Sequence, residues 1–305
     1  MKRLVSAERF LLIGHILSMA FGLAGILLVL PNPQFIAQLP EFGQVALRWS
    51  LAGGGVAYMI LGTAAVGLYA YRTLGVWHWL GFMIPAVFLS LGSELLGTST
   101  GFPFGHYHYL SGLGYKIAGL VPFTIPLSWF YLGLSAYLLA RAGLASRQMP
   151  NGLLLSSAIA LASLLLTSWD FVLDPAMSQS SLAFWAWEQP GAFFGMPYQN
   201  FAGWFGTGTV FMTVATLLWK LKPVTLQRTQ LALPLAIYLS NFAFAAIISL
   251  AAGLDIPVVL GILSGVAPAL ALYWMANSSQ AKEISPEVSE VETAIVPVTS
   301  LTKVR

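Results

Sequence analysis

Residues 231–275 read LALPLAIYLSNFAFAAIISLAAGLDIPVVLGILSGVAPALALYWM, a stretch in which Asp255 is the sole charge. Leu231–Ala252 and Ile256–Met275 are each long enough to cross, as helix, a hydrocarbon layer about 30 Å thick. Gly253-Leu254-Asp255 is left as the turn between them. Runs of the same kind recur upstream, at about Phe10–Leu30, Leu51–Tyr71, Trp77–Gly97, Ala118–Leu139, Gly152–Phe171 and Phe201–Leu221. The chain is 57% hydrophobic and only 8% charged, against roughly a quarter charged in soluble domains. The expected fold is therefore all-α, a polytopic transmembrane helix bundle of about eight spans. The first run follows Lys2, Arg3 and Arg9, as a signal sequence would. It ends in Pro31-Asn32-Pro33 without a small-residue cleavage site, so it reads as an anchor.

Eight spans put both termini on one side, and the cations then sort. Lys2, Arg3, Arg9, Arg72, Arg141, Arg147, Lys220, Lys222, Arg228, Lys282, Lys303 and Arg305 fall together, and Arg48 and Lys116 fall opposite. Under the positive-inside rule the termini are cytoplasmic. The formal charge of +3 comes from these loop cations facing anionic lipid or cytoplasm, and no nucleic-acid footprint is present. Residues 1–276 read as one membrane-embedded domain. From Asn277 to Arg305 the chain turns to Ser, Glu, Pro, Thr and Val without helical periodicity, the composition of a disordered cytoplasmic tail. The absence of cysteine excludes disulfides, thiolate nucleophiles and cysteine-bound metals.

Two segments on the opposite side do not look like connecting loops, which are ordinarily short and polar. One runs from Glu94 through Gly101-Phe-Pro-Phe-Gly-His-Tyr-His-Tyr109. The other runs from Trp169-Asp170-Phe-Val-Leu-Asp174 through Trp185-Ala-Trp187 to Gly195-Met-Pro-Tyr-Gln-Asn200 and Trp204. Their aromatic content predicts that they fold back onto the bundle in re-entrant fashion. An interfacial belt accounts for single tryptophans, but not for their interleaving with acids and glycines on one face.

Carboxyl groups near membrane depth cost about 2.5–3.5 kcal/mol at a helix centre and less near an end. Glu94 lies in the last turn of its span. Asp170 and Asp174 are four apart, hence on one helical face if the helix continues that far. The alternative is that Asp174 ends the helix before Pro175 while Asp170 reaches for water. Two carboxyls that close do not both ionise readily, and a retained proton is what a general acid needs. Asp170, Asp174 and Glu94 are the candidate catalytic acids, with Glu188 next in line. Tyr107, Tyr109, Trp129, Trp169, Trp185, Trp187, Phe193, Phe194, Tyr198 and Trp204, with Asn200, His106 and His108, are candidate substrate contacts. His15 is isolated in the first span and reads as a helix–helix hydrogen bonder. His106-x-His108 has metal-ligand spacing but no second His or Cys pair beside it, so no metal is assigned.

These motifs resemble the CruF-type carotenoid hydratases, integral membrane proteins of carotenoid biosynthesis. The resemblance rests on Glu94, Gly101-x-Pro103-Phe104-Gly105-x-Tyr107-x-Tyr109, Pro122, Pro126 and Trp129. It continues through Asp170, Asp174-Pro-x-Met177, Trp185-x-Trp187 and Gly195-x-Pro197-x-x-Asn200-x-x-Gly203-Trp204. It covers about residues 50–275 and is densest at 94–131 and 168–206. It implies addition of water across the 1,2 double bond of an acyclic carotenoid end, of γ-carotene or lycopene type. It implies no cofactor, a carotenoid substrate within a plasma or thylakoid membrane, and a downstream carotenoid glycosyltransferase as partner.

The residues suit that chemistry. Hydrating such an alkene means protonating its less substituted carbon and capturing the tertiary cation with water. A buried acid can supply the proton, and aromatic faces stabilise a cation by about 0.5–2 kcal/mol each. The rival enzyme reading, a membrane prenyltransferase, finds one Asp pair and few cations with which to hold diphosphate. The rival from another class, a proton-coupled transporter, accounts for intramembrane acids but shows no visible inverted repeat.

Overall fold

The computed structural model describes residues 2–147, 149–179 and 183–276. The expected tail, 277–305, lies outside the described residues. Helix α1 (Lys2–Ala24) continues through a π-helical turn, Gly25–Val29, and a short α2 (Pro33–Ala37) leads to α3 (Glu41–Leu74) and α4 (Val76–Thr100). After a loop come α5 (Thr124–Ala145), α6 (Asn151–Gln179), α7 (Tyr198–Trp219) and α8 (Ala232–Ala251). Helices α9 (Asp255–Gly261) and α10 (Ala267–Met275) form one rod through the π-helical turn Ile262–Val266. Only Gly75, at φ +84° and ψ 165°, separates α3 from α4. That conformation is essentially restricted to glycine, and it reverses the chain without a loop.

Seven of these helical stretches are long and apolar enough to cross a membrane: Lys2–Val29, Glu41–Leu74, Val76–Thr100, Asn151–Gln179, Tyr198–Trp219, Arg228–Ala251 and Asp255–Met275. The sequence leads one to expect eight. The helix outside the seven is α5, which has the length, 22 residues, but lacks the apolarity. Ser128, Tyr131, Ser135, Tyr137 and Arg141 dilute it. Its position gives the reason. α5 is packed by α3, α4, α6, α8 and α10, and from Ser128 to Ala140 every residue is buried. Such a helix is matched to protein neighbours, whereas the lipid-compatible side chains Phe10, Phe21, Phe88 and Ile84 stand on the outer helices. α5 also begins later than the expected Ala118, because Pro122 lies in a short strand and Pro126 in the first helical turn. A missing N–H costs nothing at that position.

The aromatic loops contain short strands that an all-helical reading does not anticipate. β1 (Tyr107–Tyr109) pairs antiparallel with β4 (Trp185–Trp187), and β2 (Lys116–Ile117) with β3 (Val121–Pro122). Backbone groups pressed against an apolar bundle need partners, and pairing the two loops supplies them.

Charge sorts to the two ends of the bundle. Arg72 at the end of α3 holds Glu8 of α1 in an ion pair at 2.8 Å. Arg141 stands over the Trp219 ring, Lys222 over Trp77 and Arg228 over Trp274. His78, at the same end, bonds the carbonyls of Leu74 and Lys222. Glu94 lies sixteen residues further along α4 than His78, about 24 Å away.

Candidate active site

Helix α6 passes through Pro175 and runs to Gln179, so Asp174 does not terminate it. Asp170 and Asp174 therefore share a face, one turn apart. Both are sealed from bulk solvent, at 2% and 1% exposure, and Glu94 on α4 is at 3%. The three carboxyls line a single cavity of about 70 Å³.

Each acid is held by donors from elsewhere in the chain. Glu94 Oε1 accepts the Trp129 indole N–H at 3.0 Å, and Oε2 accepts the hydroxyls of Tyr109 at 2.9 Å and of Tyr107. Asp174 Oδ1 accepts the indole N–H groups of Trp185 and, at 3.3 Å, Trp187. The Asn200 amide nitrogen, from the first turn of α7, bonds Asp170 Oδ2 at 2.7 Å and Asp174 Oδ2 at 3.1 Å. It also lies 2.9 Å from Met196 Sδ, a weak acceptor that two carboxyl oxygens outcompete. Burial, and next the Glu94 carboxyl beside them, push the Tyr107 and Tyr109 phenols well above their usual range. They serve as donors.

Strand alternation explains the layout. Tyr107 pairs with Trp187 and Tyr109 with Trp185 across β1–β4, and residues two apart share a face. All four rings turn toward the acids and line the cavity. Trp169, Asn200 and Trp204 line it as well. Trp129 stands just behind, bonded to Glu94 and stacked on Trp204.

Other expected site residues are not brought here. His108 within β1 and His106 just before it have the opposite parity and are exposed. Glu188, one residue past Trp187, is exposed too, and its backbone N–H bonds the His106 carbonyl. Phe193, Phe194 and Tyr198 pack with Phe171 and Phe201 in a separate aromatic cluster and do not line the cavity. Among the described residues no group of three His, Cys, Asp or Glu side chains could hold a metal.

The cavity also uses residues that sequence reasoning left out. Tyr58, Met59 and Phe244 come from the middles of apolar helices, where nothing marks one aromatic from the next. Phe104 has a signal, since it stands within the Pro103-Phe104-Gly105 motif. It fits because Gly97 and Gly203 leave room: a Cβ at either would come within 2.7 Å or 2.4 Å of its ring. Ser128 of α5 completes the polar lining.

Comparison with known proteins gives this geometry a context. The chain is 38% identical over 128 residues to the bisanhydrobacterioruberin hydratase of Haloarcula japonica, a match covering 42% of this chain and 41% of that protein. The chain thus spans under half the length of this curated relative in the match. No solved structure shows significant similarity. A family model described as carotenoid biosynthesis protein matches residues 54–268, which include every side chain of the cavity, and the chain belongs to that family of carotenoid biosynthesis proteins.

Proposed function

We propose that this protein is a carotenoid hydratase, adding water across the 1,2 double bond of an acyclic carotenoid end. The observation that carries this reading is the convergence of three buried carboxyls in one aromatic-walled cavity. A carboxyl in such a place can retain a proton and deliver it to an alkene. The indole and phenol faces of Trp185, Trp187, Tyr107 and Tyr109 stabilise the tertiary cation and are poor competitors with water for it. The cavity accommodates one isoprenoid end, not a whole polyene. The remainder of a C40 chain is comparable to the bilayer core, about 30 Å, and lies along the bundle. No cofactor is required by this chemistry.

Counting α5 as a crossing gives eight spans with both termini on one side. The cation end then faces the cytoplasm under the positive-inside rule, and the acid cavity faces away from it. A prenyltransferase reading is weaker here, because Asp170 and Asp174 face an amide and two indoles where a diphosphate-bound cation would have to sit.

The test is expression in cells that accumulate lycopene or γ-carotene, with pigment analysis under anaerobiosis in H₂¹⁸O. Labelled tertiary alcohol at the acyclic end is expected. Loss of product under anaerobiosis, or a tertiary alcohol without the label, excludes hydration.

A further inference from the structure

We infer that Asp170 delivers the proton, and that Asp174 and Glu94 stay ionised to hold the cation; this rests on the hydratase reading. The three acids differ in what faces their oxygens. An indole N–H donates and cannot accept, so an oxygen facing one is held as an acceptor. Asp174 Oδ1 faces two such groups, from Trp185 and Trp187, and its Oδ2 faces the Asn200 amide. Glu94 Oε1 faces the Trp129 N–H, and its Oε2 faces two phenol hydroxyls. Three donors address each of these groups, the pattern that favours a carboxylate.

Asp170 is different. Its Oδ2 takes one N–H, from Asn200 at 2.7 Å, and its Oδ1 has no donor among the described residues. Asp170 itself lines the cavity, and Oδ1 is its oxygen without a donor among the described residues. Asp170 and Asp174 share one amide nitrogen, and two carboxyls so close do not both ionise readily. The one proton belongs on the one oxygen that no donor claims.

The step balances with these groups alone. The O–H bond at Asp170 Oδ1 breaks as a C–H bond forms at the less substituted alkene carbon. The π electrons make that bond and leave a tertiary cation next to it. A water oxygen bonds to the cationic carbon, and its surplus proton passes to the Asp170 carboxylate, which restores the acid.

Infrared spectroscopy of the purified protein at neutral pH tests the assignment without reference to turnover. The wild-type chain should show the carbonyl stretch of a neutral, buried carboxyl group, shifted in D₂O. Asp170→Asn should remove that band, and Glu94→Gln should leave it. A band that persists in Asp170→Asn, one that vanishes in Glu94→Gln, or none in the wild type overturns the assignment. Should Asp170→Asn fail to accumulate, Asp174→Asn replaces it: the band should remain there, since Asp170 keeps its proton, and its loss overturns the assignment. In pigment-producing cells Asp170→Asn should lower product by at least about 10²-fold, with part restored by Asp170→Glu. Product from the wild type and equally from Asp170→Asn overturns the choice of donor. No product from the wild type, with the band present and assigned, overturns the hydratase reading instead.

Discussion

Trp129 and Trp204 stack with ring centroids 4.0 Å apart and planes inclined by 22°. One comes from the buried helix α5 and the other from α7, so the pair joins two elements where Trp204 lines the cavity. Trp129 also gives its N–H to Glu94 at 3.0 Å. Trp129→Phe keeps an aromatic ring and removes that donor. A hydrogen bond to a charged group is worth about 1.5–3 kcal/mol, so conversion should drop roughly 10- to 100-fold on that basis. Product per unit of membrane-inserted protein measures it, and unchanged conversion means that Glu94 needs no such anchor.

Gly203→Ala tests the seating of Phe104. The new Cβ would lie 2.4 Å from Phe104 Cδ1 and 3.0 Å from the Pro103 carbonyl oxygen. Overpacking of this kind costs about 1–3 kcal/mol, and the ring lines the cavity, so displacing it reshapes that wall. Conversion should fall while the protein still accumulates. Gly206→Ala, one turn away with open space around it, is the control and should behave as wild type.

His15 ties four helices together, which is a stability prediction. Its Nδ1 bonds the Tyr58 carbonyl at 2.7 Å and its Nε2 the Asn241 amide at 2.9 Å, while Tyr131 reaches Asn241 Oδ1 at 3.3 Å. His15→Leu strands a buried N–H of Asn241, at a cost of about 1–3 kcal/mol. Thermal unfolding in detergent should show a lower midpoint. The double variant His15→Leu/Asn241→Leu should lose less than the sum of the single changes, because the same contact is counted in both.

Sidedness can be read by labelling, since the chain has no native cysteine. Ser111, in the loop beside the acids, and Thr225, between α7 and α8, are both exposed. An impermeant thiol reagent applied to intact cells should label Ser111→Cys and spare Thr225→Cys. The reverse pattern inverts the assigned orientation.

The helices and the acid pair were legible because each has a local signature: apolar runs long enough to span, and two carboxyls four residues apart. Helix α5 begins later than its apolar run predicts, because Pro122 pairs in a strand ahead of it and Pro126 enters its first turn. The β1–β4 pairing was hidden for another reason. Three-residue strands carry almost no periodicity, and Tyr107 and Trp187 are eighty residues apart in sequence. Once the pairing is known, parity alone sorts the candidates, with Tyr107, Tyr109, Trp185 and Trp187 inward and His106, His108 and Glu188 outward. Tyr58 and Phe244 had no marker at all, since an aromatic in a membrane helix serves lipid, neighbour or ligand equally well.

The sheathing of α5 bears on how the protein is made. A nascent helix is admitted to the bilayer by its own apolarity, and α5, with Ser128, Tyr131, Ser135, Tyr137 and Arg141, is a weak applicant. Its companions α6, α8 and α10 are synthesised after it. Until they arrive, the segment that carries Trp129 lacks much of its permanent surroundings, so the acid cavity belongs to the last stage of assembly. A chain cut short after α5 would have its first acid in place and nowhere settled for the helix behind it.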